Sequence, residues 1–173
     1  MLTDTIKSMA QFSFDIVSDY DKAEINNVFD QAVREITNRY DFKNTPAAIE
    51  WLNGDKTGLK ITGNGDWQID AILDIVRKKL AVRNQSQKIL DISKETVESN
   101  MRTTKEVPFK QGLDQAKAKK VTSLLRDKFP KAKAQIQGTE VRVTSGSKDE
   151  LQAIMQLLRQ QDFDFPLSFT NYR

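Results

Sequence analysis

The sequence predicts an α+β chain made of two similar halves, each a β-α-β-β-α-β unit with an antiparallel sheet and both helices on one face. Three observations carry this expectation. First, a stretch recurs: ITGNGDWQIDAILDIVRKK at 61–79 aligns without a gap to VTSGSKDELQAIMQLLRQQ at 143–161. The alignment matches Thr62 to Thr144, Ala71 to Ala153, Ile72 to Ile154 and Arg77 to Arg159. Each copy ends a strand, turns through Gly and small polar residues, and opens an amphipathic helix, as an internal duplication would. Second, the apolar period switches between two and 3.6 in the same order along both halves. Third, 173 residues suit two small units, and units that small bury only modest cores.

The elements follow in order. Phe12, Phe14 and Ile16 alternate with Ser13, Asp15 and Val17 in a half-buried strand over 12–18. Asp21 caps a helix, and Glu24, three positions on, completes a capping box. Ile25, Val28, Phe29, Ala32 and Ile36 form its apolar stripe. It ends near Tyr40, and Asn44-Thr45-Pro46 is a break. Residues 47–63 read as a hairpin turning at Asn53-Gly54-Asp55. Asp66 caps the next helix, whose stripe is Ile69, Ile72, Leu73, Val76 and Leu80, and a short strand follows near 86–91.

The second half starts with a strand over 99–109. A helix follows at 113–129, with Leu113, Ala116, Val121, Leu124 and Leu125 inward and Pro130 as its stop. Residues 131–137 and 139–144 flank Gly138 in a tight hairpin. Ser147 and Glu150 give the last helix a capping box, and LSFTNYR closes the chain. The expected architecture is therefore two tandem ferredoxin-like domains, 12–98 and 99–173. In such units the first and last strands pair. The two halves can exchange first strands, which would put 12–18 beside 167–172 in the second domain.

Composition narrows the chemistry. The chain has no Cys, which excludes disulfides and thiol chemistry and fits a cytoplasmic protein. It has no His, which removes the commonest general base and metal ligand. No apolar run approaches a membrane span, and MLTDTIKSMAQ lacks the apolar core of a secretory signal. Residues 1–91 carry 12 Lys and Arg against 14 Asp and Glu, whereas residues 92–173 carry 15 against 10. The basic excess concentrates between Lys110 and Lys133, with Lys117, Lys119, Lys120, Arg126, Lys128 and Lys131 between them. Such a run either attracts phosphates or is a solvated helix face.

With helices on one sheet face, the outward residues of the second unit are Lys133, Gln135, Gln137, Arg142, Thr144, Ser168, Thr170 and Tyr172. The inward set is Ala134, Ile136, Val141, Val143, Leu167 and Phe169. The outward set offers donors and acceptors suited to base edges and phosphate oxygens, with Tyr172 as its stacking ring. It reads equally as a polar face toward solvent. Enzyme readings are weak. Gly63-Asn64-Gly65 lacks the third Gly of a dinucleotide fingerprint, Gly58 to Gly63 lacks the P-loop Lys, and no Ser has a His partner.

Five segments resemble the YajQ-like family of small bacterial proteins: SFDIVSDYD at 13–21, YDFKN at 40–44, PFKQGLDQAKAKK at 108–120, AQIQGTEVRVTSGSKDELQA at 134–153 and PLSFTNYR at 166–173. The resemblance implies two ferredoxin-like domains and a nucleotide- or RNA-binding protein without catalysis. It further implies binding of purine nucleotides, tRNA-like RNA or cyclic di-GMP. Matching positions include Asp15, Asp41, Phe42, Lys43, Lys110, Gln111, Gly112, Lys119, Lys120, Gln135, Gln137, Arg142 and Arg173. Residue pattern and resemblance together nominate Lys110, Lys119, Lys120, Lys133, Arg142, Lys43 and Arg173 for phosphates. They nominate Gln135 and Gln137 for bases or sugars, and Phe42 or Tyr172 for stacking. No cofactor is expected. The rival expectation is a regulatory module docking on a transcription or chaperone partner.

Overall fold

The computed structural model describes residues 11–173. The reading of the N-terminal stretch as lacking a secretory signal falls, for residues 1–10, outside them. In chain order the elements are β1 (Phe12–Val17), α1 (Lys22–Asn38), β2 (Ala48–Trp51), β3 (Gly58–Gly63), α2 (Asp66–Val82), β4 (Val97–Ser99), β5 (Arg102–Pro108), α3 (Gln115–Lys128), β6 (Lys133–Gln137), β7 (Glu140–Ser145), α4 (Lys148–Gln160) and β8 (Ser168–Thr170). Short 3-10 turns lie at Tyr40–Phe42 and Gln87–Ile89. No helix among the described residues is long and apolar enough to cross a membrane.

Two units result, each an antiparallel four-stranded sheet with two helices on one face. One is Tyr20–Lys110; the other joins residues 11–19 to Gln111–Arg173. In the two-part unit the strand order is β6-β7-β1-β8, the ferredoxin-like arrangement. β1 sits between β7 and β8, with Phe14 opposite Val143 and Ile16 opposite Val141 and Phe169. In the Tyr20–Lys110 unit the order is β2-β3-β5-β4, with Leu59 opposite Val107. β5 thus occupies the place that a first strand would fill. The halves have traded first strands: β1 belongs to the sheet of the second half, and β5 to that of the first.

Helix formation follows the apolar stripes. In α1 the buried residues are Ile25, Val28, Ala32 and Ile36, and in α2 they include Ile69, Ile72, Leu73, Val76 and Leu80. These join Ile49, Leu59, Ile61 and Val107 of the sheet in one core. The other core joins Phe14, Ile16, Val141 and Val143 to Ala118, Val121 and Leu125 of α3 and to Leu151, Ile154, Met155 and Leu158 of α4. Each Val, Leu, Ile, Phe or Met among them that is removed from water contributes about 1.5–3 kcal/mol. The strand exchange therefore carries two large apolar side chains of β1 into a core made otherwise from residues beyond 112.

Several local expectations need correction. Glu24 does not close a capping box. Asp21 accepts from the Ala23 and Glu24 amides, but the Glu24 carboxylate accepts from Arg83 at 2.7 Å, where a full charge offers more than a backbone amide. Asp66 is the first helical residue of α2, not its cap; Gly65 is the cap, and Asp66 accepts from Thr96 Oγ1 at 3.2 Å. Ser147 caps α4 as expected, but Glu150 reaches Ser145 Oγ at 2.7 Å. The strand placed near 86–91 is a 3-10 turn with one bridge, Leu90 to Phe109. The edge strand is instead β4, joined to β5 through Asn100 and Met101, whose φ values of 54° and 64° suit a tight hairpin. In α3, Ala118 is buried and Ala116 is exposed, because the helix begins at Gln115 behind an Asp114 cap.

Candidate functional site

Backbone pairing in the two-part unit builds a polar row across the outward face of its sheet. Gln135 lies opposite Arg142, Arg142 opposite Asp15, and Asp15 opposite Thr170. Adjacent rows add Lys133 opposite Thr144, and Thr144 opposite Ser13. Because side chains alternate along each strand, the same periodicity that sends Phe14, Ile16, Val141 and Val143 into the core sends this set outward.

Asp15 organises the row. Its residue is 2% exposed, and its carboxylate accepts from Arg142 Nε at 2.9 Å, Arg142 Nη2 at 3.3 Å and Asn171 Nδ2 at 2.9 Å. The hydrogen bond from Arg142 holds the Asp15 carboxyl below its usual range. Burial opposes this, while Asn171 and the charges of Arg142 and Arg173 reinforce it. The same pairing raises the pKa of Arg142. A guanidinium has five N–H donors, and Asp15 takes two of them. The Arg142 side chain is 43% exposed, and the N–H groups that Asp15 does not take form a fork of the kind that matches a phosphate or a purine edge.

The other expected residues separate. Gln137 lies opposite Glu140, so an acid flanks that end of the face. Tyr172 is exposed just beyond β8, and the Arg173 backbone exchanges hydrogen bonds with Ser13 at 2.9 and 3.1 Å. Lys119 and Lys120 are exposed on α3, in the helix layer across the sheet from Gln135 and Arg142. Lys110 ends the other unit, its amide donating to Ile89 O at 2.7 Å. Lys43 is exposed in that unit, too. Phe42 corrects an expectation: it is 4% exposed, inside the core of the Tyr20–Lys110 unit, so its ring is not offered to a base. The 3-10 turn rotates it inward and turns Tyr40 out.

Sequence reasoning placed Asp15 outward but did not nominate it for the site, and it missed Asn171 altogether. Alternation around Phe14 marked Asp15 as outward. What gives it a role is the neighbouring Arg142, 127 residues away. The outward face of the other sheet is different in kind. There Lys60 lies between Glu50 and Glu106 across the strands, and Lys94 pairs with Glu106 at 3.1 Å, so its charges compensate one another.

The family described as "Nucleotide-binding protein YajQ-like" matches residues 12–173. A protein of Nostoc punctiforme named as a nucleotide-binding protein is 43% identical over 162 residues, covering 94% of this chain and 98% of that one. One of Nocardioides sp. with the same description is 45% identical over 166 residues, covering 95% and 100%. One of Trichodesmium erythraeum is 46% identical over 161 residues, covering 93% and 97%. With a match spanning nearly the whole chain and relatives this close, the chain belongs to the YajQ-like family.

Proposed function

We propose that this protein binds nucleotides without transforming them, and that the outward face of the β6-β7-β1-β8 sheet takes a stretch of RNA. The carrying observation is the Gln135–Arg142–Asp15–Thr170 row, in which a buried carboxylate fixes an arginine fork on an uncovered polar surface. Gln135 offers both a donor and an acceptor to a base edge or a ribose hydroxyl. Lys133, Arg142 and Arg173 supply phosphate contacts, and Tyr172 a stacking ring. The names of the relatives support nucleotide binding; exposed polar side chains spread over both β6 and β8 suit a chain of nucleotides better than one enclosed nucleotide. This is recognition chemistry, and it fits a chain with neither His nor Cys.

Fluorescence anisotropy of a labelled single-stranded RNA tests the proposal. With three cations engaged, log affinity should fall against log salt with a slope of about −2, since each phosphate neutralised on a single strand contributes roughly −0.7. Replacing Lys133, Gln135 and Gln137 together by Ala should weaken binding at least about tenfold, the equivalent of one good hydrogen bond to a charged group. Lys119→Ala with Lys120→Ala should weaken it less. RNA binding with no salt dependence, or unaffected by the triple substitution, would overturn the assignment of the face. Displacement by low concentrations of GTP, ATP or cyclic di-GMP would replace RNA with that nucleotide as the ligand.

A further inference from the structure

We infer that the Tyr20–Lys110 unit carries a separate stacking platform, formed by Tyr40 and Trp67 with Lys43 as its cation, that takes unpaired bases of a single RNA strand. The inference rests on the nucleotide-binding reading above but uses none of the same residues. Tyr40 is 85% exposed and Trp67 is 55% exposed. Both flank the buried Phe42: Tyr40 starts its 3-10 turn, and the Trp67 ring centroid is 6.4 Å from that of Phe42. The Arg39 guanidinium lies 4.3 Å from the Phe42 centroid.

Asp41 is neutralised by Arg39 through two hydrogen bonds of 2.9 and 2.6 Å, so it does not offset Lys43; on the Trp67 side Asp66 keeps its charge and accepts from Thr96 Oγ1 at 3.2 Å. The Lys43 ammonium lies 5.6 Å from the Tyr40 ring centroid and brings a cation to that ring. Aromatic faces with a cation beside them are what a sequence-tolerant single-strand site uses.

The platform is also held rigid. Gln68 is fully buried; its Oε1 accepts the Asn64 amide at 2.9 Å and its Nε2 donates to Thr45 Oγ1 at 3.1 Å. Thr45 Oγ1 in turn donates to the Phe42 carbonyl at 2.6 Å. One buried amide therefore ties the segment bearing Tyr40 and Lys43 to the turn that precedes Trp67. Gly63 permits it, since a Cβ there would lie 2.8 Å from Gln68 Cβ. Loops fixed in advance lose less entropy when a ligand docks.

The experiment uses the full chain carrying Trp51→Phe, which leaves Trp67 as the sole tryptophan. A single-stranded RNA of about twelve nucleotides, within the usual range of single-strand sites, is titrated while anisotropy and Trp67 emission are read together. Emission should be quenched in step with anisotropy. Tyr40→Ala and Trp67→Ala, each made in the parent chain, should weaken binding about 5- to 150-fold, the cost of one lost base stack. Tyr40→Phe and Trp67→Phe should retain most of the affinity. Lys43→Gln should reduce the salt slope by about 0.7. Binding with unchanged Trp67 emission, or wild-type affinity in both alanine variants, overturns the platform while leaving the sheet face intact. Loss of affinity in the phenylalanine variants equal to that in the alanine variants also overturns it. No change of anisotropy in the parent chain overturns RNA binding, and with it both the platform and the RNA assignment of the sheet face.

Discussion

Phe14→Ala should unfold a part of the molecule that lies about a hundred residues downstream in sequence. Phe14 is fully buried, and its ring meets Phe169 edge-to-face with centroids 5.3 Å apart. Its neighbours in the core are residues of α3, β7 and α4, not the α1 helix that follows it along the chain. Truncating a buried Phe costs about 3–5 kcal/mol, through lost transfer free energy and an unfilled cavity. The lost aromatic pair is part of that cost and accounts for about 0.5–1.5 kcal/mol. A unit this small has little stability in reserve, so such a loss removes a large fraction of it. Hydrogen exchange read by peptide is the assay. In the variant, amides of Val121–Leu125, Val141–Val143 and Leu151–Leu158 should lose protection, while those of Ile25–Ile36 and Ile69–Leu80 should keep it. Two results would refute the reasoning. One is protection lost first in the Tyr20–Lys110 unit, which would mean that β1 pairs there. The other is a destabilisation below about 1 kcal/mol, far less than a buried Phe costs.

The lowered pKa of Asp15 has a consequence for acid stability. Its contribution is fully present above the unfolded carboxyl value of about 3.9 and is lost as pH falls through the lower folded value, so stability should fall on acidification below about pH 4. Asp15→Asn should flatten that limb in urea titrations at successive pH values; superimposable acid limbs would disprove the pairing. Gly58→Ala should destabilise the Tyr20–Lys110 unit by about 1–3 kcal/mol, the usual cost of overpacking. A Cβ there would meet Pro108 Cα and Val107 O, both at 2.9 Å, and backbone atoms cannot step aside as a side-chain tip can. An unchanged urea midpoint would show that β3 and β5 are not so closely apposed.

The candidate surface was legible in part. Alternation along 133–137 and 140–145 set Gln135 and Arg142 on the outward side, and the structure pairs them across the hairpin. A hairpin is local, so spacing alone nearly fixes its register. Phe42 was misread because a three-residue turn has no period from which to tell which of Tyr40 and Phe42 faces inward. The lysines of α3 were grouped with the sheet residues because they share a charge and a stretch of sequence. Packing put them on the other side of the sheet.

By itself the sequence determined the four helices and their order, the strands β1, β2, β3, β6 and β7, the apolar side of each long helix and the outward set on the last hairpin. These follow from side-chain periods within one segment. Only the tertiary structure decided which first strand joins which sheet. The two halves are similar enough that β1 and the β4-β5 hairpin are locally plausible in either place, and no spacing rule chooses between them. Pairing β1 with β7 and β8 is a long-range choice, set by how Phe14 and Ile16 fill the core beneath α3 and α4. That choice also brings Asp15 to Arg142 and so creates the row on which the proposed function rests.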